Sequence, residues 1–113
     1  MMRKTKYLLA SALTLLTHPA MSQTCIFQNE GTTYIHGPCS VSLSDSAVEI
    51  KSGKHKIELL LDETGSTAIG HWNSGRSKKY DYDLGPLSPK AAEDGLCWNG
   101  DNVRVCYEGL DAD

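Results

Sequence analysis

The chain has no apolar stretch approaching the roughly 20 residues that a bilayer-spanning helix needs, which excludes a multi-span membrane protein. Positive charge is not in excess: 11 Lys and Arg stand against 14 Asp and Glu in 113 residues. That balance argues against nucleic acid, whose phosphates demand a basic surface. Aromatic residues are sparse at 7%, with a single Phe, so Trp and Tyr must carry much of any core. Internal repeats and low-complexity segments are absent. No segment after residue 22 holds helical periodicity for about ten residues or more. What is present, 40% apolar and 22% charged residues, is ordinary for a folded soluble protein and excludes a disordered tail or a collagen-like repeat. The length allows one domain and makes an enzyme with its own cofactor domain improbable; no cofactor is expected.

The first residues read as an address. Arg3, Lys4 and Lys6 open the chain, and Tyr7 to Thr17 is apolar or small throughout. His18 and Pro19 follow, then Ala20-Met21-Ser22, whose small residues suit a signal-peptidase cut after Ser22. Residues 1–22 are thus predicted to be a secretory signal and residues 23–113 a single exported domain, periplasmic or secreted. The apolar run is about half the length that spans a bilayer, so no stable membrane insertion is expected. Thr24, not Gly or Ala, precedes Cys25, which argues against lipid attachment. The mature chain would have 113 − 22 = 91 residues and a net charge of 8 − 14 = −6. Opposite charge speeds encounter, so a cationic partner is favoured.

Past the signal the chain reads as short strands separated by turn residues. Thr24–Gln28 and Thr32–His36 are rich in β-formers, with Asn29-Glu30-Gly31 turning between them and Gly37-Pro38 breaking the second. Val41, Leu43, Val48 and Ile50 alternate with polar residues at a period of two, the mark of a half-buried strand. Lys56–Leu61 and Ser66–Trp72 flank an Asp62-Glu63-Thr64-Gly65 turn. Asn73 to Lys79 is a polar loop. Tyr80, Tyr82 and Leu84 alternate with Asp81 and Asp83, and Gly85-Pro86 and Ser88-Pro89 should stop that run. Lys90 to Asp94 has the composition of one helical turn. Cys97–Trp98 and Val103–Tyr107 should close a hairpin across Asn99-Gly100-Asp101-Asn102, leaving Gly109 to Asp113 frayed. Short strands at intervals of about 8–12 residues predict an all-β fold, a small antiparallel barrel or sandwich.

The four cysteines, Cys25, Cys39, Cys97 and Cys106, all fall in the mature part. An even count in a short exported chain predicts two disulfides. Three connectivities are open; neighbours in sequence suggest Cys25–Cys39 and Cys97–Cys106, although simple hairpin registers set neither pair directly opposite. No C-x-x-C pair or finger-like His spacing points to zinc, and no metal is expected.

Signs of catalysis are equally thin. The G-x-S-x-G nucleophile signature is absent. His36, His55 and His71 are isolated in sequence. Asp81 and Asp83 could imitate a glycosidase pair, but two residues apart on a strand they form a solvated stripe while Tyr80, Tyr82 and Leu84 fill the other face. Asp81 to Gly85 lacks the third ligand of a calcium loop. No catalytic residue is assigned, and the protein is not expected to be an enzyme.

The most informative segment is His71 to Tyr80. It holds three of the eight mature cations, Arg76, Lys78 and Lys79, between aromatic residues on an acidic protein. A polar loop carried on rigid strands is how a small β scaffold presents a binding surface. Arg forks onto a carboxylate, Lys acts as a point charge, and Ser and Tyr donate hydrogen bonds. Ser74, Gly75, Arg76, Ser77, Lys78 and Tyr80 are the candidate binding residues. As the plain alternative, the loop is solvated surface and Trp72 and Tyr80 are core.

An exported, disulfide-bearing β domain with a Ser-Gly…Tyr loop resembles the bacterial periplasmic lysozyme inhibitors. That family has an eight-stranded antiparallel barrel whose Ser-Gly-x-x-Tyr motif enters the lysozyme cleft. Ser74, Gly75 and Tyr80 would correspond, with a longer spacer, Arg76 to Lys79, before the tyrosine. The segments Gly37-Pro38-Cys39, Trp72-Asn73, Leu84-Gly85 and Gly95 to Trp98 also resemble small exported bacterial proteins of no assigned function. The resemblance implies a binding protein that plugs the cleft of lysozyme or another cell-wall hydrolase. A cationic enzyme with carboxyls in its cleft suits an acidic body with a basic loop. The alternative is an envelope-associated structural or glycan-binding module, in which Trp72, Tyr80, Tyr82 and Trp98 stack on sugars. The acidic charge also allows the immunity partner of a protein toxin.

Overall fold

The computed structural model describes residues 23–76, 78–93 and 95–108. The proposed signal and the C-terminal Gly109 to Asp113 lie outside the described residues. Eight strands follow one another: β1 Gln23–Asn29, β2 Thr32–Leu43, β3 Ala47–Ser52, β4 His55–Leu61, β5 Ala68–Trp72, β6 Tyr82–Ala92, β7 Gly95–Asn99 and β8 Val103–Glu108. Each pairs antiparallel with its neighbours in sequence, and β1 pairs with β8, so the sheet closes into a barrel.

Alternation decides what lies inside. On β3 and β4, Val48 faces Leu59 and Ile50 faces Ile57 across the ladder, and all four are buried. Their neighbours Glu49 and Glu58 face each other on the outer surface. Phe27, Ile50, Ile57, Leu59, Leu87 and Val105 are among the fully buried side chains that fill the barrel. Burial of each such side chain stabilises the fold by about 1.5–3 kcal/mol. Trp98, 4% exposed, donates from Nε1 to the Tyr107 hydroxyl at 3.1 Å, so its one polar atom is satisfied inside the core.

Three expectations need correction. Gly37-Pro38 does not end β2, and neither Gly85-Pro86 nor Ser88-Pro89 ends β6. These two long strands each change partner along their length. β2 pairs with β1 as far as Cys39 and with β3 from Ser40; β6 pairs with β5 as far as Leu87 and with β7 from Ser88. At any point each strand is therefore paired on one side, and a proline can turn its missing N–H to the other. Lys90 to Ala92 are strand, not helix, because Lys90, Ala91 and Ala92 pair with Cys97, Leu96 and Gly95. Sheet pairing overrides the weak helical preference of Lys and Ala.

Both disulfides form between sequence neighbours, Cys25–Cys39 and Cys97–Cys106. The first joins β1 to β2 diagonally, since Cys25 stands opposite Gly37. The second corrects the expectation that neither pair stands directly opposite: the β7–β8 hairpin sets Asn99 against Arg104, and that register aligns Cys97 with Cys106. Two bridges fit an oxidising compartment.

Candidate functional site

Because consecutive strands run in opposite directions, the β1–β2, β3–β4, β5–β6 and β7–β8 connections gather at one end of the barrel. The β5–β6 connection, Asn73 to Asp81, is the long one among them.

Its base is clamped by Asn73, which is 2% exposed. The Asn73 Oδ1 accepts from the Lys56 N–H at 3.0 Å and from the Gly75 N–H at 2.8 Å, while Nδ2 donates to the Lys54 carbonyl at 2.9 Å. The loop is thereby fastened to the β3–β4 hairpin. The chain then turns tightly: the Arg76 N–H donates to the Asn73 carbonyl at 3.1 Å, with Ser74 and Gly75 at φ 58° and 70°. Two positive φ values in succession define a turn of the I′ class, which explains an Asn-Ser-Gly sequence here. Gly75 is also required for space, since a Cβ there would lie 2.8 Å from His55 Cε1.

His55 in turn accepts from Trp72 Nε1 at 3.3 Å through Nδ1. Partial burial, then the neighbouring Lys54 charge, hold its pKa below the ordinary histidine value, so the neutral ring that can accept this bond is favoured. Trp72, 5% exposed, plugs the barrel mouth. Tyr34 and Tyr82 flank it with ring centroids at 4.6 and 5.4 Å, and Phe27 lies beneath at 5.0 Å. Tyr34 and Tyr82 are each 38% exposed and form the rim.

The far end of the loop is held by Tyr80, whose hydroxyl donates to Glu49 Oε2 at 3.2 Å. Burial, with the Glu49 and Glu58 carboxylates nearby, pushes its pKa up to about 12. Tyr80 therefore does not belong to the strand that Tyr82 begins, and it does not share an inward face with Tyr82 and Leu84. Its ring turns to the acidic outer surface of β3 and β4. Glu58 there also meets His71 Nδ1 at 3.8 Å. Asp83 and Asp81 serve local structure and surface: Asp83 Oδ1 accepts from the Gly85 N–H at 2.8 Å, and Asp81 is exposed.

Of the residues singled out in the sequence, Ser74 and Gly75 form the turn, and Arg76 and Lys78 are exposed beyond it. Ser77 lies outside the described residues. Tyr80 anchors the loop rather than displaying itself at its tip. Sequence reasoning missed Asn73 as a clamp, Tyr34 as part of the rim, and His55 as the support beneath Gly75. Only the Asn-Ser-Gly order hinted at any of these. Among the described residues no group of three or more His, Cys, Asp or Glu side chains is placed to hold a metal ion. No family model, curated protein or solved structure matches the chain.

Proposed function

We propose that this is an exported binding protein without chemistry of its own, which inhibits lysozyme or another cell-wall hydrolase by seating the Asn73 to Tyr80 loop in its cleft. The supporting observation is the clamping of that loop at both ends, by buried Asn73 and by Tyr80 on Glu49. A loop held at both ends loses less entropy on docking than a free one, and Arg76 and Lys78 are presented from it to solvent. A cation there would pair with a cleft carboxylate, while the acidic body meets the cationic surface of the hydrolase. Of the residues behind the resemblance to periplasmic lysozyme inhibitors, Ser74 and Gly75 form the turn of this loop, whereas Tyr80 is held by Glu49 away from its tip.

The test is inhibition of cell-wall lysis by c-, g- and i-type lysozymes, with oxidised protein from Gln23 onward at low and moderate salt. Stoichiometric inhibition of one type is expected. Truncating one partner of a buried charge pair costs about 2–5 kcal/mol, so Arg76→Ala or Lys78→Ala should weaken inhibition roughly thirtyfold or more. No inhibition of any type at large excess discards the proposal. The exposed edges of Tyr34 and Tyr82 favour a second reading, a glycan-binding envelope module. Retention on cell-wall glycan without inhibition would select it.

A further inference from the structure

The change of partner along β6 leaves a gap in the barrel wall. From Tyr82 to Leu87 the strand pairs with β5 alone, and its other edge faces the tip of the β7–β8 hairpin. A cleft of about 540 Å³ lies there. Leu84, Leu87 and Val103 supply buried apolar wall. Glu30, Asp83 and Asp101 bring three exposed carboxylates to its rim, and no Lys, Arg or His lines it. The rim is tied together, because the Glu30 N–H donates to the Asn102 carbonyl at 2.8 Å and Glu30 holds a positive φ of 55°.

One polar side chain in this wall is out of keeping with its burial. Asn29 is the last inward-facing residue of β1 after Cys25 and Phe27, and it is 3% exposed. It lines the cleft, and none of the side-chain hydrogen bonds described above ties it to the barrel. Buried amides are normally paired; the polar atoms of this one open into the cleft, where water or a ligand can meet them.

We infer that the cleft receives the side chain of an arginine from the protein partner. A guanidinium is planar, carries five donors and keeps its charge, so it can bond the Asn29 carbonyl oxygen and the rim carboxylates together. Its methylene stem matches the leucine and valine wall. Lysine brings a single compact charge and no flat face. An added β-strand is a poor occupant, because Pro86 lacks an N–H and the Gly85 N–H is taken by Asp83. The cleft opens at the barrel end that carries the loop, so one cationic surface can engage both. The identity of the partner as a cationic hydrolase rests on the proposed function; the chemistry of the cleft does not.

The test is an NMR titration of the oxidised protein with N-acetyl-arginine methylamide, with the lysine and norleucine counterparts as controls. Saturable shifts are expected at the Asn29 side-chain amide and at Glu30, Leu87 and Asp101, with half-saturation of about 1–10 mM for so small a probe. Asp83→Asn and Asp101→Asn leave the surface fold intact and should each weaken binding about threefold or more. Shifts that do not saturate, that spread over acidic residues elsewhere, that persist in both variants, or that are matched by the lysine probe overturn the inference. Probe binding without lysozyme inhibition keeps the cleft and discards the hydrolase. Inhibition without probe binding does the reverse.

Discussion

Asn73 spends one buried amide on three hydrogen bonds, to Lys56, Gly75 and Lys54. Each bond satisfies a backbone group on which the loop geometry depends. Replacing the side chain by Ala removes all of them and leaves backbone groups short of partners. A net loss near 1 kcal/mol per bond gives about 2–4 kcal/mol for Asn73→Ala. Chemical denaturation should show that drop, and amide exchange should quicken at Gly75 and Lys56. A variant as stable as wild type, with protection unchanged, would show that the clamp does not hold the loop. The residue type alone reveals little of this. Asn is common in turns for several reasons, and its sequence neighbours do not show that Lys54 and Lys56, on the far side of a hairpin, supply its partners. Tyr80 misled in the opposite way. Its alternation with Tyr82 and Leu84 continued a strand pattern past the point where the strand begins.

At the scale of the element, alternation made β3, β4 and β8 legible, because each has one buried and one exposed face for most of its length. β2 and β6 were cut short because proline and glycine normally punctuate strands. What rescues them is a handover between neighbours that depends on residues far away in sequence. A single residue shows how tightly β6 is met by the β7–β8 turn. A Cβ built on Gly100 would lie 2.7 Å from Leu87 Cδ2 and 3.0 Å from the Pro86 carbonyl oxygen. Leu87 is 1% exposed and has nowhere to retreat, and the carbonyl is backbone. Overpacking of this kind costs about 1–3 kcal/mol. Gly100→Ala should lower the unfolding free energy by that amount, with a lower denaturation midpoint, and shift the resonances of Pro86 to Ser88, whereas an unperturbed midpoint would mean that the turn can lift off β6 freely.

Over the whole molecule, the strand count and the spacing of turn residues indicated a barrel or a sandwich, and only the pairing of β1 with β8 separates the two. That contact joins the two ends of the domain, and no local pattern encodes it. Closing such a ring brings distant residues together at an entropic cost, and the disulfides act on the same term. Cys25–Cys39 spans 14 residues beside the β1–β8 seam, and Cys97–Cys106 spans 9 within the hairpin that supplies β8. Arg104 Nε lies 3.3 Å from Cys106 Sγ, so the second bridge also has a side chain laid over it. Loops of these lengths give similar chain-entropy gains, roughly 3 kcal/mol each. Folded domains have only about 5–15 kcal/mol in total. Converting either pair to alanine should therefore lower the unfolding free energy by about 2–4 kcal/mol, and converting both should leave a marginal barrel. Urea denaturation of the three variants beside the oxidised protein checks this. The single-pair variants also test the link to binding, since the Asn73 loop hangs between β5 and β6, strands that carry no cysteine. If the bridges serve only to keep the barrel closed, either single-pair variant should retain full affinity for its partner wherever it remains folded. Lost affinity in a folded variant would mean that the bridges set the shape of the binding end as well.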